Sequence, residues 1–131
     1  MREADFSDTI ESSSAPSDAS TSQTLANNQA AADVTSMLFS SATYRGVVVE
    51  IEVSRKTASS ERRGFVTLRL VYDTTAASWV IVDVTEDNTG TDLGVTWTVT
   101  AAGQVKYATD NQSGASYAGT GKWKILRRYS A

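Results

Sequence analysis

The chain has 131 residues, of which 40% are hydrophobic and 21% are charged, as in one ordinary globular domain. It contains no cysteine and no histidine, which excludes disulfides, thiolate nucleophiles, imidazole acid–base catalysis and the usual zinc ligands. The net charge is −3, with acidic residues concentrated near the start and basic residues near the end. Ends of opposite sign either steer a partner or a neighbouring copy into place, or are two solvated ends that happen to differ.

Residues 1–29 are rich in Ser, Thr, Ala, Asp and Asn and hold few apolar side chains. Such a segment buries too little apolar surface to offset its ordering entropy, so we predict an extended polar arm. Its widely spaced apolar residues, Phe6, Ile10 and Leu25, suit pockets on a partner surface. The plainer alternative is a leader that contacts nothing. The acidic start is unlike a signal peptide and no stretch is long and apolar enough to cross a bilayer, so we expect a soluble protein.

The next part of the sequence predicts strands separated by turns. A first short strand is expected near residues 34–39. Residues 44–55 alternate apolar and polar side chains with the two-residue period of a half-buried strand. Residues 64–73 repeat the alternation, so we expect the two strands to pair antiparallel. Between them, residues 55–63 form a charged turn, the most basic spot inside the domain.

The strand predicted at residues 79–84 is apolar on both faces. Trp79 and Ile81 point to one face, and Val80 and Val82 point to the other. One sheet does not easily cover both, so the second face meets either a neighbouring subunit or the arm. We predict that Val80 and Val82 form an oligomer interface in a homotrimer.

Residues 94–109 carry the clearest local signal, a β-hairpin. Valine and tryptophan alternate with threonine before residue 101, as in a half-buried strand. Residues 101–103 form a three-residue loop that ends in glycine, which adopts a positive φ without a steric clash. This turn sets the register of the two strands, and Trp97 should therefore face Tyr107 on the buried side.

The remaining elements complete an all-β fold. Residues 113–121 are rich in glycine and mark a loop and a bend, and residues 122–129 form a last strand with Trp123 facing inward. About seven short strands separated by turns predict an antiparallel β-sandwich or jelly-roll-like domain over residues 30–131. Residues 1–29 would be its extended N-terminal arm.

Two acidic groups are candidate sites, and both have a plainer interpretation. Glu50 and Glu52 lie two apart on one strand face, roughly 6 to 7 Å apart, a spacing that glycoside hydrolases also use. No apolar pocket surrounds them in the sequence, so exposed acids are favoured. Residues 83–92 are rich enough in oxygen to bind Ca²⁺. They lack the glycine and closing glutamate of a calcium-binding hand, and a solvated turn is favoured.

Basic and aromatic residues give two further candidates. Trp123 alternates with Lys122 and Lys124, so the ring faces the core while the lysines face solvent. A base-stacking platform needs the reverse, and we expect no nucleic-acid partner. Tyr117 in the glycine-rich loop is the best candidate for binding a sugar or a receptor, although a packed loop aromatic is the plainer interpretation. We predict no catalytic residue, no cofactor, no metal ligand and no membrane partner.

Several short motifs follow one another along the chain: Ala-Asn-Asn-Gln at 26–29, Ala-Asp-Val-Thr at 32–35, Trp79, Val-Thr-Trp-Thr-Val-Thr at 95–100, Gly-Gln-Val-Lys-Tyr at 103–107, and Tyr-Ala-Gly at 117–119. This order resembles β-domains of bacteriophage virion accessory proteins, which include head-decoration proteins and parts of fibres. The resemblance covers about residues 26–125. It implies a non-enzymatic structural module, often a trimer.

Two roles within that family compete. One is a capsid decoration, or cement, protein on the phage head that binds and stabilises the shell. The other is a tail or head fibre or adhesin domain that binds a host-surface glycan or receptor. We expect decoration, because a fibre module normally follows a long repetitive shaft, whereas a short polar arm suits gripping a shell. The expected partner is the major capsid protein or another virion protein, with the arm as anchor.

Overall fold

The computed structural model describes residues 20–131, and Phe6 and Ile10 therefore lie outside the described residues. The described chain contains no helix, and so none that could span a membrane. It forms eight strands: β1 Thr21–Thr24, β2 Ala32–Leu38, β3 Tyr44–Lys56, β4 Glu61–Asp73, β5 Ser78–Asn88, β6 Val95–Val99, β7 Gln104–Thr109 and β8 Ala118–Ser130.

The strands form two antiparallel sheets that pack as a sandwich, which confirms the predicted fold class. The larger sheet has five strands in the order β1-β8-β3-β4-β5. The smaller sheet has three strands in the order β2-β7-β6. Each sheet has one apolar face, and stacking these two faces removes both from water.

The centre of the larger sheet is the long hairpin β3–β4, which follows the alternation predicted from the sequence. In β3, residues 47, 49, 51 and 53 are all buried, while Glu50 and Glu52 point to the outer face. Val49 lies opposite Leu68 of β4, and both are fully buried. Larger than either element alone, the core collects apolar side chains from both sheets: Val34, Met37, Val49, Ile51, Leu68, Leu70, Trp97, Val105, Tyr107 and Trp123.

The hairpin β6–β7 has the predicted register. Trp97 lies opposite Tyr107, and both side chains are buried. Gly103 closes the loop with φ of +102°, and a Cβ at this position would lie 2.2 Å from the Phe39 carbonyl oxygen. Glycine is therefore required here for two reasons, the backbone conformation and the close approach of a neighbouring backbone.

The strand predicted near residues 34–39 is β2, and its pairing with β7 is interrupted. The register shifts between Asp33 and Leu38, and Ser36 within this stretch has φ of +69°. The side-chain amide of Gln104 donates hydrogen bonds to the carbonyls of Val34, at 3.0 Å, and Met37, at 3.4 Å. These bonds replace backbone partners that the irregular ladder cannot supply.

The predicted boundary between arm and domain at residue 29 needs correction. Residues 21–24 are strand β1, which pairs with β8, and Leu25 is fully buried in the core of its own chain. The amide of Asn28 donates to the carbonyl of Asp110, so the following residues are also tied to the sandwich. Composition alone missed this because Ser and Thr are acceptable in an edge strand whose partner is distant in sequence.

Replacement of Trp97 by alanine should cost about 3 to 5 kcal/mol of stability, because it empties a buried aromatic site between the sheets. Thr98→Ala is the matched control, since Thr98 is the next residue on the same strand and is exposed. Its effect should stay within about 0.5 kcal/mol. Chemical denaturation measures both, and equal midpoints for the two variants would contradict the packing seen here.

Candidate functional site

The outer face of the five-stranded sheet carries a row of exposed apolar side chains. Tyr129 of β8 lies opposite Gly46 of β3, Gly46 lies opposite Val71 of β4, and Val71 lies opposite Val80 of β5. Val82 follows at a register shift in β5, where one extra residue is accommodated. We call Tyr129, Val71, Val80 and Val82 the apolar strip; their exposed fractions are 52%, 41%, 42% and 58%.

The apolar strip is nearly flat because a glycine lies at its centre. A Cβ at Gly46 would lie 3.2 Å from Cδ2 of Tyr129, so the tyrosine ring covers the place where a side chain would otherwise stand. With strands about 4.8 Å apart, a row from β8 to β5 spans about 14 Å. Contiguous exposed apolar surface of this kind is typical of a site of contact with another molecule.

The predicted two-faced strand lies in β5, which is longer than expected. Trp79 is buried and contacts the rings of Phe39 and Tyr72, at centroid distances of 6.1 and 5.7 Å. Val80 and Val82 are exposed on the described chain. Since β5 is also an edge strand, their neighbourhood combines apolar side chains with unpaired backbone groups.

The other end of the same face is charged. Glu50 lies opposite Lys124, and Glu52 lies opposite Lys122, across the β3–β8 pair. These four residues, with Ser20 and Phe65, line a shallow groove that we call the charged groove. Phe65 is 48% exposed there.

The predicted pair of acids does not form an enclosed site. The two carboxylates stand on an open sheet face with a lysine opposite each, and Arg63 approaches Glu52 at 3.5 Å. This arrangement balances charge across neighbouring strands rather than isolating one carboxyl from water. The groove can therefore contact a polar surface, but it does not hold a substrate away from solvent.

The acidic stretch 83–92 is partly strand, not a free loop. Oε2 of Glu86 accepts hydrogen bonds from the side chain of Asn88, at 2.8 Å, and from the amide of Leu93, at 3.1 Å. Within residues 20–131, no group of three acidic side chains is gathered closely enough to hold a metal ion. The carboxylate of Glu86 instead fastens the β5–β6 connection.

Tyr117, the predicted receptor-loop residue, is turned toward its own chain. Its hydroxyl donates to the carbonyl of Leu25 at 2.8 Å and accepts a hydrogen bond from Nε of Arg55 at 3.0 Å. The hydroxyl is thus used internally and only part of the ring meets solvent. The packed-aromatic interpretation of Tyr117 fits this geometry, and a receptor contact through the hydroxyl does not.

Arg55 is the main residue that the sequence interpretation placed wrongly. It was expected in an exposed basic turn, but it is fully buried. The alternation of β3 carries the signal that was missed, because residue 55 continues the inward series 47, 49, 51 and 53. A strand interpreted strictly by its period would have placed this guanidinium inside.

The buried guanidinium is fully hydrogen-bonded. Nη1 donates to the carbonyl of Leu93 and to Oδ1 of Asp110, both at 2.7 Å. Nη2 donates to Oδ1 of Asn27 at 3.0 Å and to the carbonyl of Asp110 at 2.8 Å, and Nε donates to Tyr117. Every N–H of Arg55 therefore has an acceptor, which is what makes burial of the charge tolerable.

Asp110 responds to this arrangement. Partial burial raises the pKa of its carboxyl, but hydrogen bonds and attraction from Arg55 and Arg62 outweigh that effect and hold the pKa below the usual value of 3.8. Arg62 binds the same carboxylate at 3.0 Å from the more exposed side. The carboxylate is thus shared between a buried and a surface guanidinium.

Comparison of the chain with protein-family models, with curated proteins and with solved structures found no match.

Arg55→Met should destabilise the protein by about 3 to 5 kcal/mol, because it leaves carbonyls and a carboxylate without their donor inside the seam. The control is Arg63→Met, at a side chain that is 51% exposed and makes only surface ion pairs. That change should stay within about 0.5 kcal/mol. Urea denaturation of both variants is the measurement, and a mild effect at Arg55 would mean that water replaces its partners.

Asp110 should make folding stability depend on pH in the acid range. Its folded pKa lies below the unfolded value near 3.8, so its contribution is complete above that value and is lost as pH falls through the folded pKa. The stability gap between wild type and Asp110→Asn should therefore shrink below about pH 5. Asp87→Asn, at an exposed outer position, provides the comparison. A gap for Asp110→Asn that is constant with pH would refute the assignment.

Proposed function

We propose that this protein is a non-enzymatic structural protein that decorates a bacteriophage head, docking on the shell through the apolar strip. The observation that carries the docking surface is the strip itself, a flat apolar row on one sheet face of a sandwich whose core is already filled. The family resemblance supplies the phage head as the surface. The partner would be the major capsid protein or another virion protein.

The shape of the strip favours a protein partner over a small molecule. Small-molecule sites are concave and bury most of their ligand, whereas a flat row of side chains about 14 Å long matches a complementary protein face. A cluster of exposed aromatic and aliphatic residues is also the usual centre of an interface, with charged residues around it. Here the charged groove lies at one end of the strip's face and supplies such a rim.

Self-association uses the same surface in this proposal. Val80 and Val82, the expected oligomer contacts, belong to the strip and lie on the exposed edge strand β5. A homotrimer on the shell would cover part of each strip with a neighbouring copy and leave the rest to the shell. Residues Phe6 and Ile10 of the arm remain the proposed additional anchors, while Leu25 is excluded because it is buried in its own core.

The alternative role, a fibre or adhesin domain that binds a host glycan, has one observation in its favour. Phe65 is exposed beside carboxylates and lysines in the charged groove, and a sugar ring can stack on such an aromatic face. Tyr117 is the weaker candidate, since its hydroxyl is bonded internally. Glycan binding that Phe65→Ser abolishes would favour this role over decoration.

The test is co-sedimentation of the full chain with undecorated heads of the phage that encodes it. Val80→Glu and Val82→Glu together place unpaired charges on the strip and should weaken binding about tenfold or more, equivalent to about 1.4 kcal/mol or more. Thr96→Glu, at an exposed position on the smaller sheet, should leave binding unchanged. Circular dichroism checks that all variants are folded.

Two outcomes would contradict the proposal: no binding of the wild-type chain to the heads, or equal binding by the strip variant and the control. A truncation that tests the arm should end at residue 19. Removal of residues 1–25 would also delete β1 and the core residue Leu25, and lost binding would then report unfolding.

A further inference from the structure

Strand β8 has a long edge that the described chain leaves without a partner. β8 runs over 13 residues, but β1 pairs only with Thr120–Trp123. From Lys124 to Ser130, the side of β8 away from β3 meets no other strand within residues 20–131. Such an edge presents a row of backbone donors and acceptors to any extended segment nearby.

This open part of β8 is strongly basic. It carries Lys124, Arg127 and Arg128, and none of the three forms an ion pair with another residue of the range 20–131. Lys124 has Glu50 as its cross-strand neighbour, Arg127 lies opposite Val48, and the guanidinium of Arg128 lies over the ring of Tyr44 at 5.7 Å. The edge therefore favours an acidic partner.

The chain itself leads an acidic segment to this edge. Residues 1–19 contain Arg2 against five acidic residues, a net charge of −4. They join the described chain at Ser20, which lines the charged groove beside Lys122 and Lys124. Because β1 is antiparallel to β8 with Thr21 opposite Trp123, the chain traced backward from Thr21 heads toward Lys124 and the open edge.

The apolar residues of the segment can reach the apolar strip. From Lys124 to Ser130 the edge is about 20 Å long, and Val71 lies two strands away from β8, about 10 Å across. Ile10 precedes Ser20 by ten residues, which span up to about 33 Å when extended. The path of about 30 Å is therefore within reach of Ile10, and Phe6 has more slack.

We propose that residues 1–19 bind the open edge of β8 in the same chain, with their acidic side chains against Lys124, Arg127 and Arg128 and with Ile10 and Phe6 on the apolar strip. Covalent attachment at Ser20 favours the chain's own segment over a second copy, since it supplies a high effective concentration. The segment then covers the apolar strip in the unattached protein. A docking partner must displace it.

This inference concerns the free protein and holds or fails independently of the phage-head proposal. The measurement is hydrogen exchange at the amides of residues 124–130 in the full-length chain. Amides paired with the segment should exchange at least about tenfold more slowly than in a variant with Asp5→Asn, Asp8→Asn, Glu11→Gln and Asp18→Asn. The control variant neutralises Asp73, Asp83 and Asp87 on the far side of the sheet and should leave this protection unchanged.

A spin label separates the chain's own segment from that of a second copy. The chain has no cysteine, so Ser14→Cys provides a single labelling position. The label should broaden the amide signals of β8 far more than those of β6. The inference is overturned if β8 amides exchange at the intrinsic rate in the wild type, or if neutralising the segment leaves their protection intact. Broadening in a mixture of spin-labelled chains with unlabelled ¹⁵N chains would overturn it in favour of exchange between copies.

Discussion

The interaction on which the rest of this structure depends is the buried guanidinium of Arg55. Its acceptors come from four separate connections: Asn27 after β1, Leu93 before β6, Asp110 after β7 and Tyr117 before β8. A buried cation without these partners would cost several kcal/mol, so each connection is held where the guanidinium needs it. The end of β3 thereby organises one whole end of the sandwich, although no regular secondary structure links these connections.

This arrangement divides the surface of the protein into two kinds. At the Arg55 end, polar side chains of the connections are hydrogen-bonded to each other; Gln112, for example, donates to the carbonyl of Arg55 and to Ser60. Such residues are poor candidates for ligand contacts because their polar atoms are already used. The outer face of the five-stranded sheet is the opposite case, since its apolar strip and basic β8 edge lack partners in the described chain. The proposals of docking and of a self-bound segment both arise from this difference.

Elements with local signals were predictable, and the hairpin β6–β7 is the best example. Its alternation, its three-residue loop and its terminal glycine lie within sixteen residues, so one stretch of sequence specifies both the turn and the register. The β3–β4 hairpin was predictable for the same reason. The limits of β1 were not, because a short run of Ser, Thr and Gln becomes a strand only when β8, about a hundred residues later, offers its edge.

The sequence by itself determined the all-β class, the inward and outward faces of the long strands, and the absence of chemistry that needs cysteine or histidine. These properties depend on residue type and on a two-residue period, and both are local. Only the tertiary structure decided that Arg55 and Tyr117 are internal bonding partners, that Leu25 belongs to the core, and that Tyr129, Val71 and Val80 lie in one row. Those outcomes depend on which strands become neighbours, and neighbours are chosen by the burial of the whole core and not by any single segment.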